Sequence, residues 1–145
     1  MPFSDSYANQ ILNYTFAKAA SLTAPSAVYI GLCTNDPEAS GGTFTELSGN
    51  GYSRVLISQK GETYPDVIGS ASDRMIQNTK QINWTKATGD WAEANGFGLF
   101  SAASGGTPFF YGKLDSPVNC VAGAVALFDP NTLKISFPTT DTSTG

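Results

Sequence analysis

The chain has 145 residues, only 14% of them charged, with 15 glycines and eight prolines, a length and composition suited to one β-rich domain with frequent turns. Eight Lys and Arg stand against twelve Asp and Glu without any basic run, and the formal charge of −4 argues against a nucleic-acid partner. No apolar stretch reaches the roughly 18 residues of a membrane span, and no signal-peptide pattern opens the chain, so no membrane partner and synthesis in a cytoplasm are expected.

Ser4 and Ser6 are able N-caps, Asp5 suits the positive end of a helix, and Tyr7, Ile11, Tyr14 and Lys18 follow at helical spacing. Leu12, Phe16, Ala19 and Ala20 widen that stripe, which predicts a helix over residues 6–20 with a broad apolar face. Tyr7, Tyr14 and Phe16 cannot all point one way on a single helix, so part of this aromatic surface is available to a neighbouring subunit. Pro25 then biases Ala24 away from helical geometry, and the apolar run Ala27 to Cys33, stopped by Asn35-Asp36-Pro37, predicts a central strand. Neither of its faces is polar, so cover is expected on both sides, from the sheet on one and from the helix on the other.

Residues 35–50 are small and polar and read as a long surface loop in which only Phe44 and Leu47 offer apolar area. A second strand is expected over Gly51 to Gln59, with Arg54 either paired with an acidic group of the preceding loop or simply facing solvent. Short strands follow at Arg74 to Asn78 and Gln81 to Thr85, then a buried strand from Trp91 to Ser101. Its Gly96 and Gly98 leave room for a large aromatic side chain from a neighbouring strand. Ser104-Gly105-Gly106-Thr107 turns the chain into a returning strand over Pro108 to Leu114. Asp129-Pro130-Asn131 is expected to turn the run from Val118 to Phe128 into a last hairpin with Thr132 to Phe137, and residues 138–145 form a polar tail. No repeat or linker divides the chain. The fold expected is mainly β: an antiparallel β-sandwich or barrel of about seven to eight strands over residues 26–137, with one N-terminal helix packed on it, all in a single domain over 1–145.

Candidate chemistry is sparse. The chain contains no histidine, which excludes Ser-His-Asp and Cys-His nucleophilic sites. Cys33 and Cys120 match no zinc motif and read as buried, reduced thiols. The carboxylates are scattered beside Pro, Gly and Asn, where turn chemistry explains them; Glu93, between Trp91 and Phe97, is the one placed in a strand, but no second carboxylate joins it. Calcium-loop and phosphate-cradling motifs are missing. No catalytic residue, cofactor or metal is assigned. Trp84, Trp91, Tyr52 and Tyr64 could line a sugar platform, although aromatic side chains packed in a β-rich core are the commoner explanation.

The layout resembles a family of small tailed-bacteriophage virion proteins described as tail-fibre proteins. The resemblance rests on the N-terminal helix, Ala24-Pro25, Val28-Tyr29-Ile30-Gly31-Leu32, Thr34-Asn35-Asp36-Pro37 and Gly51-Tyr52-Ser53-Arg54, then Trp84 and Trp91. It continues through Gly96-Phe97-Gly98-Leu99-Phe100, Gly105-Gly106 and Tyr111-Gly112-Lys113-Leu114. The segment from Gly61 to Asn78 and the tail after Pro138 depart from it. The resemblance implies a non-enzymatic virion structural protein, tail-fibre or tail-associated, that contacts other virion proteins and copies of itself. Capsid decoration, and a carbohydrate-binding module that attaches the particle to a host-surface glycan, are the alternatives. Candidate interface residues are Tyr7, Tyr14, Phe16, Phe44, Leu47, Thr139 and Thr140.

Overall fold

The computed structural model describes residues 3–17, 25–60 and 67–136. Among these, helix α1 (Asp5–Phe16) precedes eight strands: β1 (Ala27–Cys33), β2 (Val55–Gln59), β3 (Met75–Gln77), β4 (Ile82–Asn83), β5 (Ala94–Phe100), β6 (Phe110–Val118), β7 (Leu127–Phe128) and β8 (Lys134–Ser136). The fold is mainly β, its sheets are antiparallel, and no barrel closes. β1, β2, β5 and β6 form one sheet in the order β2-β1-β5-β6, so the strand read from the apolar run at Ala27 is central.

Ser4 caps α1 by accepting a hydrogen bond from the Tyr7 N–H at 3.3 Å, and Asp5 stands in the first turn. The helix ends at Phe16, earlier than the apolar stripe predicts: Ala17 leaves the helical region with φ −103° and ψ −151°. Residues 18–20 of the expected helix lie outside the described residues, as does the polar tail.

Directly opposed residues of antiparallel strands share a face. Ile30 opposes Leu99, Leu32 opposes Phe97, and Leu99 opposes Phe110, so one face of the sheet is built from large apolar side chains. The cover over that face is a surprise of topology. Asn83 pairs with Leu127 and Ile82 with Phe128, while Gln77 pairs with Lys134 and Met75 with Ser136. Between these ladders and β5–β6, Trp84 N–H donates to the Ala126 carbonyl, Ala87 to Ala124 and Trp91 to Cys120, each at 2.9 Å. Residues 75–100 and 110–136 therefore run as the two arms of one long antiparallel ribbon whose tip is the Gly105-Gly106 turn. One half lies in the four-stranded sheet and the other folds back across it. Ile82, Trp84, Ala126 and Leu133 of the returning half pack with Ile30, Leu32, Phe97 and Phe110 to form the core.

The pairing of β5 with β6 across the glycine turn is as expected. The last two strands do not form a hairpin with each other; each pairs with a partner about fifty residues away. The interruption between β7 and β8 is held by Asn78, a buried polar side chain. Its amide donates to the carbonyls of Lys80 (2.8 Å) and Asp129 (2.9 Å), and its Oδ1 accepts from Thr132 N–H (3.1 Å) and Leu133 N–H (2.9 Å). Asp129 to Thr132 thus curls around a side chain instead of turning a hairpin. β3 also begins one residue later than expected, because Asp73 and Arg74 (φ 52° and 63°) form the two-residue turn between Ser72 and Met75.

The opposite face of the sheet carries Gly31 directly across from Gly98, with Gly96 two residues along β5 across from Cys33. A Cβ on Gly98 would stand 2.8 Å from the Phe44 ring, and one on Gly31 would stand 2.7 Å from the Glu46 carboxylate. The glycines form a trough, and residues 34–54 lie in it. The aromatic ring filling the trough comes from this loop, not from a neighbouring strand, and the second cover over β1 is likewise the loop and not α1.

Candidate functional site

The loop does not project from the surface as its polarity led one to expect. Asn35 knits it internally: its amide donates to Ser40 Oγ (3.0 Å) and the Thr43 carbonyl (2.6 Å), and its Oδ1 accepts from Thr45 N–H (2.9 Å). Backbone bonds from Thr34 N–H to Thr45 O and from Leu47 N–H to Leu32 O then lay it along β1. Three side chains clamp it down. Arg54 meets Glu46 through two parallel bonds, Nε to Oε2 at 2.8 Å and Nη2 to Oε1 at 2.9 Å. Its Nη1 donates to the carbonyls of Ala102 and Gly105, both at 2.9 Å, and its guanidinium lies 3.4 Å from the centre of the Phe100 ring. The Tyr52 hydroxyl donates to Glu46 Oε2 (2.9 Å) and accepts from Leu32 N–H (2.8 Å).

The Gly51-Tyr52-Ser53-Arg54 stretch is therefore a structural clasp. The Arg54 side chain is only 3% exposed, and its forked donors match a carboxylate on the loop and two carbonyls on the turn between β5 and β6. Burial raises the Tyr52 hydroxyl well above its ordinary pKa, with the Glu46 carboxylate adding to the shift, which keeps the phenol protonated in its donor role. Burial likewise pushes the Cys33 thiol up to about 12. Cys33 and Cys120 are both free and buried, in accord with the sequence reading.

The residues singled out for chemistry or binding are dispersed. Glu93 is exposed and accepts only a 3.4 Å contact from the Asn119 amide; flanking aromatic residues do not bury it, because its side chain leaves the face on which Ala94 is packed. The sugar platform is not assembled. Trp84 and Trp91 are core residues, Trp84 against Phe128 with its indole N–H unpartnered and Trp91 against Tyr52 with its N–H on the Asn50 carbonyl. Tyr64 lies outside the described residues. No group of three His, Cys, Asp or Glu able to hold a metal ion is found among the described residues, and no helix there is long and apolar enough to cross a membrane.

The candidate interface residues separate into distinct settings. Leu47 belongs to the core, so it leaves the candidate surface; Phe44 is half-buried against Phe100, with ring centres 5.2 Å apart. Tyr7 faces inward and stacks 5.1 Å from Phe109. Phe16 is 82% exposed, Leu12 54% and Tyr14 51%, and α1 buries no residue at all. Thr139 and Thr140 lie outside the described residues. Sequence reasoning counted Leu12 as part of the inward stripe, but it stands about 140° round the helix from Tyr7, and Phe16 about 180°. That angular arithmetic was the signal that separates them. Leu127, Val121 and Val125 are further exposed apolar side chains that the reading did not single out.

Residues 2–136 match the family model described as podophage GP4 fiber I protein gp80. The chain belongs to that family. The match spans α1 and all eight strands, and it makes the protein a phage virion component of the tail-fibre type, the class the sequence motifs resemble. Curated proteins yield no match. Within the fibre-family fold, the motifs that carried the resemblance are now explained as scaffold: the glycine trough, the loop that fills it and the arginine clasp that closes it.

Proposed function

We infer that the protein is a non-enzymatic structural subunit of a phage fibre, assembled with other virion proteins and with copies of itself by packing apolar side chains. The observation that carries this reading is α1. Tyr7 and Ile11 stand on the packed side of the helix, while Leu12 and Phe16 set large apolar side chains on another side, beside the polar Asp5 and Asn9, and exposed apolar side chains grouped in this way mark contact surfaces. Here the outer side stands open. Support for a non-enzymatic role comes from the chain's own polar groups. Histidine is absent, and Asp36, Glu46, Asp90 and Asp129 are acceptors in turns and in the clasp. A fibre position is preferred to capsid decoration because the matching family is described as a fibre protein. The carbohydrate-binding reading loses its support with the burial of Trp84 and Trp91.

Electron cryo-microscopy of purified virions tests this. Density fitting the sandwich is expected in a tail fibre; density on the capsid, or virions that lack the protein, would overturn it.

A further inference from the structure

Strand β8 leads to the edge of an apolar hollow. The hollow has a volume of about 200 Å³ and exposes almost no polar surface; Phe3, Ala71, Met75, Ile76 and Ile135 form its wall, and Arg74 and Ser136 complete the lining. The side chains of β8 alternate as they approach it. Leu133 is buried and Ile135 half-buried, while Lys134 and Ser136 are exposed. Phe137, which lies outside the described residues, follows Ser136 and falls on the inward side of that alternation. Pro138 biases it towards the extended conformation that carries the alternation on. The ladder offers it no further partner: Ser136 opposes Met75, and Arg74, the residue before Met75, sits in the two-residue turn with φ 63°.

We propose that the Phe137 ring of this same chain fills the hollow between Phe3 and the β3–β8 ladder. Size admits it. An apolar cavity of about 150 Å³ takes up a benzene molecule, so a hollow of about 200 Å³ has room for a phenyl ring. Composition favours it, because Phe137 carries the one large apolar side chain of residues 137–145, and seating it there takes that surface out of water. The tether identifies the occupant. Consecutive Cα atoms are about 3.8 Å apart, so Phe137 stands beside a hollow that its neighbour Ser136 already lines. A ring held there covalently has an effective concentration that a second molecule in solution does not match. Phe3 is packed edge-on against Phe110 and bridges it, so the seated ring joins the end of the β-domain to the N-terminal segment. Residues 138–145, Thr139 and Thr140 among them, then leave the domain near the start of α1. This seat goes beyond the fibre reading and does not depend on it.

Nuclear magnetic resonance on the full chain tests the seat directly. Nuclear Overhauser contacts are expected from the Phe137 ring to the Met75 methyl and to the Phe3 ring. In a mixture of isotope-labelled and unlabelled protein, filtered for contacts between molecules, the same signals are expected to vanish. Urea denaturation gives a second readout: Phe137→Ala is expected to raise the unfolding equilibrium constant at least tenfold, and Phe137→Leu to recover most of that loss. The proposal is overturned if the wild-type ring shows no contact with Met75 or Phe3, if the contacts survive the filter and so belong to a second copy, or if Phe137→Ala unfolds as wild type does. The wild-type contacts decide the matter should Phe137→Ala not fold. Absence of the protein from virions would overturn the fibre reading and leave this seat untouched, whereas a missing ring contact overturns the seat and leaves the fibre reading standing.

Discussion

Arg54 joins the loop, the ribbon tip and the sheet through one guanidinium, and no other side chain offers the same set of donors. Truncation to alanine leaves the Glu46 carboxylate and the carbonyls of Ala102 and Gly105 without their partner, and breaking a buried pair of this kind costs about 3 kcal/mol. Lysine restores the charge but neither the fork nor the stacking on Phe100, so Arg54→Lys is expected to recover less than half of that loss. Urea denaturation of the two variants measures both values, and an Arg54→Lys midpoint equal to wild type would sink the clasp argument. Alkaline pH acts on the same neighbourhood. Cys33 is held protonated up to about 12 in the folded protein against 9.0 for a free thiol, and Tyr52 is raised above 10.0. Between pH 9 and 12 the unfolded chain therefore loses protons that the folded one keeps, so stability is full below pH 9 and falls as pH rises, by up to about 1.4 kcal/mol per pH unit for each such group. Denaturation midpoints at pH 8, 9.5 and 10.5 should decline accordingly, with a shallower decline in Cys33→Ala.

Among the elements, β1 was legible in full, because Pro25 and Asn35-Asp36-Pro37 bracket an apolar run that has only one extended length. The β5–β6 pairing was legible from Gly105-Gly106. What the sequence hid is non-local. Asp129-Pro130-Asn131 has the composition of a hairpin turn, yet its Asp129 carbonyl and Asn131 N–H bond to the side chain and the carbonyl of Asn78, about fifty positions earlier, and no local pattern announces that partner. The loop was misjudged for a related reason: its polar residues satisfy one another and need no water, and the glycines that receive it lie on strands elsewhere in the chain. Of the contact surface, the helix was legible as an element, while the separation of its two faces required counting residues round its axis. Asn78 is the position on which the ribbon argument is most exposed to test. Asn78→Ala removes two donors and one acceptor that serve four backbone groups inside the protein, and a loss of about 3 kcal/mol is expected. Asn78→Asp keeps the acceptor and loses both donated bonds, so it should fall no less far. A surface-like effect below about 0.5 kcal/mol would show that the bulge holds itself without the side chain.

At the scale of the whole molecule, the folded ribbon decides how the protein unfolds. Two packed layers joined by a linker could melt separately, but here each arm of the ribbon runs through both layers, with β5 continuous with the Trp84–Trp91 stretch and β6 with the Cys120–Ala126 stretch. Separating the layers therefore exposes the shared core of Ile30, Phe97, Trp84 and Leu133 and tears the ladder at Ala94 and Val118. The arginine clasp adds the loop to the same unit. Unfolding is accordingly expected as one cooperative transition. Trp84 and Trp91 report on the returning arm and on the Tyr52 side of the loop, while far-UV circular dichroism follows the sheet as a whole. Their urea curves should superimpose, with the calorimetric and van't Hoff enthalpies equal. Removing residues 1–17 tests the converse for α1. Since the helix buries no residue, the remaining chain is expected to keep one transition while losing the contacts of Phe3 and Tyr7 with Phe109 and Phe110 and the Ser4 N–H bond to the Phe109 carbonyl. Fluorescence and dichroism curves that part company in the full chain would mean that the returning arm is a separate unit lying on the sheet, and the single-ribbon account of the fold would fail with them.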